Sequence, residues 1–204
     1  APDLLQAQNT SNIKDIRIWV DRHNNNPADG LKSILAELSL ENKNLGVEYA
    51  TYGLTGKNAM RLNNSLKNFA KLYDESFLIT KHRLVKSDYE IKYVKKAADL
   101  ADKALEKAWE SSHPGADESD IISAMQGAIF SGGGDYPANE FIIGSGPDAL
   151  LCRYFSGRRK LDPIDQLTLE FAGVYRHYHS ALMRTIPIGK AKKEHLELYE
   201  ICLE

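Results

Sequence analysis

The chain has 204 residues, 43% of them hydrophobic, enough to form the core of one large or two small globular domains. Its 26 lysines and arginines nearly balance its 28 aspartates and glutamates, which argues against partners such as nucleic acid or an anionic membrane. Because it has no long apolar run, no signal-peptide pattern and only Cys152 and Cys202, far apart, the sequence predicts a cytoplasmic protein that needs no disulfide.

Residues 1–82 alternate between strand-like and helix-like segments, a pattern typical of a small α/β domain. The composition then becomes charged and helical, so we place a domain boundary near residue 82 and a second domain at 83–204. The strand-like runs are IRIWV at 16–20, LGVEYA at 45–50 and SFLIT at 76–80. The helix-like runs are PADGLKSILAEL at 27–38 and GKNAMRLNNSLKNF at 56–69.

Two amphipathic helices are predicted at the start of the second domain. Ser87 lies three residues before Glu90, the pattern of a capping box, and the helix that follows ends before the His113-Pro114-Gly115 turn. A second helix begins near Asp117. We expect both helices to pack against a sheet and to take no part in chemistry. Their apolar faces comprise Ile91, Val94, Ala98, Ala101, Leu105 and Ala108 in the first, and Ile121, Ile122, Met125, Ala128 and Ile129 in the second.

The rest of the chain reads as glycine-rich turns and strands. SGGGDYP at 131–137 predicts a loop, but a helix precedes it and Asp135 follows the glycines, so it does not match a phosphate-binding loop. EFIIGSG at 140–146 predicts a strand, and 165–189 predicts a long hairpin. Helices followed by strands indicate an α+β fold for this domain.

The hairpin carries the residues best suited to chemistry. If its turn lies near Gly173, then His177 and His179 share one face of the second strand, and Glu170 belongs to the first strand. A carboxylate facing two imidazoles can hold a metal or tune a histidine for acid–base work. Alternatively, both histidines are satisfied polar residues of a half-buried strand, and the sequence alone does not fix the register that would decide.

A cluster of cations precedes the hairpin, in CRYFSGRRKL at 152–161. We interpret most of it as a solvated basic loop. Arg153 is the exception, because it follows the glycine turn beside Tyr154, and its guanidinium could anchor a substrate carboxylate through paired hydrogen bonds. Cys152 is interpreted as a packing residue, since nothing indicates an activating histidine beside it.

Four segments in order, KSDYEIKYVKKA, PGADESDI, IIGSGPDAL and LEFAGVYRHYHSALMRT, resemble the creatinase, aminopeptidase P and prolidase family, whose catalytic domain has the pita-bread fold. The resemblance spans about residues 84–190. It implies a creatinase-type α/β domain followed by an α+β pita-bread domain, usually in a homodimer. Family members continue well past the RTIPIG strand, so we expect this chain to hold only the N-terminal half of the pita-bread domain.

The sequence departs from the metallopeptidase members at two positions. When aligned through Tyr178 and Arg184-Thr185, their two metal-binding aspartates fall on Glu170 and Ala181, and an alanine cannot bind a metal. The histidine that they use on the substrate falls on Arg153. The metal-free creatinase branch also has alanine at the second aspartate position, and ectoine hydrolase is similar over GGDYP and EFAGVYRHYH. The resemblance therefore implies an enzyme with no metal or other cofactor.

These comparisons favour a metal-independent hydrolase of a C–N bond in a small amidine, cyclic amidine or amide. Two alternatives stay open: an Xaa-Pro peptidase with an altered metal site, and an inactive pita-bread module used for binding. In the favoured interpretation, Glu170 and one of His177 or His179 form the acid–base pair. The residues expected to bind the small-molecule substrate are Asp135, Tyr136, Arg153, Tyr154 and Arg184.

Overall fold

The structure, a computed structural model, describes residues 2–149 and 157–203 and divides into two compact units, Ala1–Val85 and Lys86–Glu204. In the first unit, a parallel pair of short strands lies among helices, and the register pairs Asn44 with Lys71. The elements in chain order are α1 (Pro2–Thr10), α2 (Pro27–Glu37), β1 (Asn44–Val47), α3 (Gly56–Leu66), β2 (Lys71–Asp74) and α4 (Leu78–Leu84).

Side-chain caps explain why α2 and α3 begin where the sequence predicts. The side chain of Asn26 accepts a hydrogen bond from the amide of Ala28, and the side chain of Thr55 accepts one from the amide of Asn58. Both helices are therefore confirmed. The predicted strand at 45–50 is found as β1. β2 was not predicted, because a four-residue strand that begins with Lys71 and ends with Asp74 shows no clear alternation of apolar residues.

Two of the predicted strands are wrong. IRIWV at 16–20 has no regular structure, and Trp19 there remains 49% exposed. SFLIT falls largely within α4, which follows Phe77 in the left-handed region at φ 71° and runs past the predicted boundary near residue 82. The amide of Ile79 donates to Glu48 Oε1, so a first-turn donor of α4 is satisfied without a strand partner. Apolar residues in a row do not make a strand unless a neighbouring strand pairs with them.

In the second unit, two helices cover one face of a three-stranded antiparallel sheet in the order β3-β4-β5. The elements are α5 (Asp88–Ser111), α6 (Glu118–Ser131), β3 (Ile142–Ser145), a 3-10 turn (Gly146–Asp148), β4 (Asp165–Tyr175), β5 (Tyr178–Ile188) and α7 (Lys193–Leu203). Helices followed by strands confirm the predicted α+β order. In the described part of the chain, none of the helices is long and apolar enough to cross a membrane.

The predicted capping box at the start of α5 is confirmed. Ser87 Oγ accepts from the amide of Glu90, and Glu90 Oε2 accepts from the amide of Ser87 at 2.7 Å. The buried stripe of α5 is only partly the predicted one: Ile91 is 40% exposed, and three further residues are buried. The buried residues are Ala97, Leu100, Ala101, Ala104, Leu105 and Ala108.

Gly173 explains how α5 can lie so close to β4. A Cβ at this position would stand 2.0 Å from the carbonyl oxygen of Ala97 and 2.5 Å from the amide nitrogen of Ala101. Only a residue without a side chain allows this approach. Gly173 is therefore a strand residue, and the expected turn near it is wrong.

The hairpin instead turns at Arg176 and His177, with φ values of 51° and 65°. Two consecutive residues with positive φ make the turn that best matches the twist of the flanking strands. Asn-Gly is the usual sequence for such a turn, so Arg-His gave no signal.

Candidate functional site

The register of the hairpin decides which side chains share a face of the sheet. Glu170 pairs with Met183, and Val174 pairs with His179. Residues paired across antiparallel strands point to the same side. The alternate residues of β4, such as Leu169, are buried beneath the helices. Glu170 and His179 therefore lie on the face of the sheet away from α5 and α6, which we call the open face.

The structure does not bring the predicted acid–base pair together. His179 lies opposite Val174, four residues from Glu170, a separation of about 13 Å along a strand that rises about 3.3 Å per residue. His177 is not on the strand at all, because it occupies the turn. A direct hydrogen bond from Glu170 to either imidazole is excluded in this arrangement, and the catalytic roles of the three residues stay predictions.

Both nitrogens of His179 are engaged. Nε2 accepts a hydrogen bond from the amide of Ala138 at 3.0 Å, and Nδ1 lies 3.0 Å from the carbonyl oxygen of His177. A carbonyl oxygen can only accept, so Nδ1 carries the proton and Nε2 is unprotonated. The imidazole is thus neutral, and neither nitrogen is free to exchange a proton with a substrate.

The glycine loop, defined here as residues 131–138, lies against the tip of the hairpin. The amide of Asp135 donates to the carbonyl oxygen of Val174 at 3.0 Å. In return, Asp135 Oδ2 accepts from the amide of His177 at 3.3 Å. Tyr136 is 80% exposed, and its ring meets Phe130 edge-on with centroids 4.8 Å apart. Asp135, predicted to bind substrate, here binds the hairpin, whereas Tyr136 is available to a ligand.

Arg184, a further predicted substrate-binding residue, does not join this group. Arg184 pairs with Leu169, so it lies on the opposite side of the sheet from Glu170, and its guanidinium donates to the carbonyl oxygen of Met183 at 2.8 Å. Its predicted role in substrate binding stays a prediction. Arg153 and Tyr154, together with Cys152, fall outside the described residues.

The described residues do not fit a two-metal centre. Ala181 lies opposite Ala172 on the open face, beside Glu170, so the two positions that resemble the metal-binding aspartates supply one carboxylate and one methyl group. Across residues 2–149 and 157–203, we find no group of three or more His, Cys, Asp or Glu side chains that could hold an ion.

A buried polar network next to the predicted basic loop was missed by sequence reasoning. Glu118, 1% exposed in the first turn of α6, accepts from Ser145 Oγ at 2.6 Å. Its other carboxylate oxygen accepts from the amides of Arg158 and Arg159 at 3.1 Å each. The guanidinium of Arg159 donates to Ser145 Oγ and to Asp165. Arg159 is therefore a half-buried structural cation and not part of a solvated loop, whereas Arg158 and Lys160 of the same cluster are exposed.

The network also holds Asp165 as an anion. Burial by itself would raise the pKa of Asp165, but hydrogen bonds from Arg159 and from the amides of Asp162 and Gln166 outweigh it and lower the pKa. Glu118 thus ties Ser145 at the end of β3 to Arg158 and Arg159, the two sides of the segment that contains Arg153. The one signal of this role in the sequence is an acidic residue directly after the N-cap Asp117.

Comparisons with known proteins agree with this architecture. The Xaa-Pro dipeptidase of Pyrococcus horikoshii is 31% identical over 163 residues, which are 79% of this chain and 45% of that protein. The X-Pro aminopeptidase of Thermotoga maritima superposes with a TM-score of 0.82 at 19% identity, covering 100% of this chain and 54% of that one. The Xaa-Pro dipeptidase of Bacillus anthracis gives a TM-score of 0.79 at 27% identity with the same coverage.

The predicted fold, part of a pita-bread domain preceded by a smaller unit, is confirmed by these superpositions. The chain spans about half the length of the relatives that it matches. A model of metallopeptidase family M24 matches residues 92–204, more than half of the chain. The chain therefore belongs to metallopeptidase family M24.

Proposed function

We propose that the complete protein hydrolyses a C–N bond in a small substrate, and that the open face of the β4–β5 hairpin forms one wall of its pocket. The observation that carries this proposal is the M24 match over residues 92–204, the part of the chain that contains Glu170 and Tyr136. The relatives named above are Xaa-Pro dipeptidases and an X-Pro aminopeptidase. Peptides with proline in the second position are therefore the first substrates to test.

These relatives support the Xaa-Pro peptidase alternative more than the metal-independent interpretation that the sequence favours. One structural observation still supports the second candidate. On the open face, Glu170 faces Met183, and Ala181 faces Ala172, so the hairpin offers a single carboxylate among apolar groups. One carboxylate can accept a proton from water and pass it to a leaving nitrogen without a metal. A small amidine, cyclic amidine or amide is the substrate class for that chemistry.

Metal analysis and a substrate panel on the full-length protein separate the two candidates. The panel contains Xaa-Pro dipeptides, creatine and ectoine, each assayed with and without a chelator. Bound metal in stoichiometric amounts, with chelator-sensitive cleavage of Xaa-Pro, supports the peptidase. Chelator-resistant turnover of creatine or ectoine without bound metal supports the second candidate. No turnover of any substrate would contradict both and favour a binding module.

Glu170→Gln tests the role of the open face in whichever reaction is found. We expect turnover to fall by about a hundredfold or more, the usual contribution of a positioned general base or acid. Glu110→Gln is the matched control, because Glu110 is an exposed residue of α5 paired with Lys107 and lies away from the sheet. If both variants kept wild-type turnover, Glu170 would have no catalytic role.

We also propose that the full-length protein is a homodimer, as the resemblance implies, and that it is cytoplasmic, as its cysteine usage predicts. Light scattering of the purified protein tests the first statement, and a monomer at assay concentration would contradict it. Fractionation of the source cells tests the second.

A further inference from the structure

We propose that His179 is a positioning residue: its neutral imidazole fastens the glycine loop to the hairpin tip and thereby fixes Tyr136. This inference rests on the proposed function, because it assigns Tyr136 to the substrate. It also replaces the acid–base role that the sequence suggests for His179 by a structural role close to the site.

The loop meets the hairpin on both sides of Tyr136. Before it, the amide of Asp135 donates to the carbonyl oxygen of Val174. After it, Pro137 has no amide hydrogen, so Ala138 is the first residue that can donate, and it donates to His179 Nε2 at 3.0 Å. The Asp135 contact uses the backbone of the hairpin, whereas the Ala138 contact needs the side chain of His179.

The start of the loop is already fixed by packing. A Cβ at Gly134 would stand 2.6 Å from Ile129 Cγ2 and 2.7 Å from the carbonyl oxygen of Val174, so the backbone there lies directly on the hairpin. Among hydrogen bonds between described residues, that of Ala138 is the only one made by residues 136–138. Loss of that contact therefore leaves this stretch with only the edge-on contact of Tyr136 with Phe130 among the described ring contacts and hydrogen bonds, and keeps the glycine packing intact.

The contact exists only for one form of the imidazole. Nδ1 donates to the carbonyl oxygen of His177, which leaves the lone pair of Nε2 to accept from Ala138. An imidazolium, or the tautomer protonated at Nε2, would direct an N–H at the amide of Ala138 and open the contact. A histidine that shuttled protons in each turnover would break this link each time.

Substitutions distinguish positioning from acid–base catalysis. In His179→Gln, the amide oxygen can accept near the Nε2 position but cannot carry a proton. We expect His179→Ala to raise KM for the substrate about tenfold, the scale of one lost hydrogen bond, with a smaller change in kcat, and His179→Gln to restore KM. Glu110→Gln again serves as the control, because Glu110 is an exposed residue of α5 paired with Lys107 and has no part in the proposed site. A glutamine variant that loses kcat as severely as the alanine variant would overturn the proposal.

Two further measurements on the full-length protein do not depend on activity. Nitrogen NMR of the imidazole should show His179 protonated at Nδ1 and unprotonated at Nε2 near neutral pH. Amide exchange at Ala138 should be protected in the wild type and in His179→Gln, and at least tenfold faster in His179→Ala. Protonation at Nε2, or unchanged amide exchange at Ala138 in His179→Ala, would contradict the proposal. If these signatures hold while no substrate is turned over, only the proposed function has failed.

Discussion

Gly173 of β4 lies against Ala97 of α5 so closely that a methyl group on the glycine would stand 2.0 Å from the carbonyl oxygen of the alanine. The position lies in the middle of the sheet, where α5 covers it, so neither backbone can withdraw without disturbing the core that the helix shares with β4.

Gly173→Ala should therefore destabilise the protein. Overpacking a well-packed core costs about 1–3 kcal/mol, and contact with backbone atoms places this change at the upper end of that range. Chemical denaturation of the full-length protein measures the loss. Gly127→Ala is the control: a Cβ there meets nothing within 4 Å, and its place inside α6 predicts a gain of about 0.5–1 kcal/mol. Equal effects of the two variants would contradict the packing argument.

Glu90 should make part of the stability depend on pH in the acid range. The amide and hydroxyl of Ser87 and the hydroxyl of Tyr178 lower its pKa from 4.5 to about 2. A carboxyl with a lowered pKa in the folded state contributes stability above the unfolded pKa, and loses it as the pH falls from about 4.5 towards 2. Wild-type Tm should therefore drop more steeply between pH 5 and pH 3 than that of Glu90→Gln. Parallel Tm curves for the two proteins would show that this carboxyl does not titrate as described.

Glu118→Ala should lower the free energy of unfolding more than the same substitution of a surface glutamate. The change leaves Ser145 Oγ and the amides of Arg158 and Arg159 without their acceptor, and each unsatisfied buried donor costs about 1–3 kcal/mol. We expect a loss of at least about 3 kcal/mol in the free energy of unfolding, measured by chemical denaturation. Glu110→Ala, on the exposed face of α5, should change little. A similarly small loss of stability in both variants would contradict the structural role of Glu118.

A two-residue sequence that favours positive φ should stabilise the hairpin turn. Arg176 and His177 both have positive φ, which costs a non-glycine residue about 1–2 kcal/mol. Replacing them with Asn and Gly should raise stability by about 1 kcal/mol in thermal or chemical unfolding. The backbone groups that contact Asp135 and His179 are retained in this variant. A loss of stability would show that the Arg176 or His177 side chain supports the turn.

The features that the sequence predicts correctly are those with a local cause. The capping box at Ser87 and the run of apolar residues in α6 depend on neighbours only a few positions away, and both are found in the structure. The strand at Ile142 is likewise marked by a short apolar run before a glycine turn, and its residues are buried throughout.

The features that it misses depend on residues far apart in the chain. The turn at Arg176 is held by Asp135, forty-two positions before His177, and the burial of Glu118 requires Ser145 and the amide of Arg159. Register, which decides that Arg184 and Glu170 lie on opposite sides, likewise follows from the turn and not from alternation alone. The family resemblance locates the hairpin, but only the pairing of its strands shows which side chains meet.

The small pair Ala172 and Ala181 gives the hairpin a shallow, smooth strip beside Glu170. Ala181 faces outward from the sheet, so a longer side chain there would extend into solvent and leave the strand pairing undisturbed. A second carboxylate could thus be added beside Glu170 on an unaltered backbone. Ala181→Asp is therefore an experiment on whether this strip can be made to hold a divalent ion.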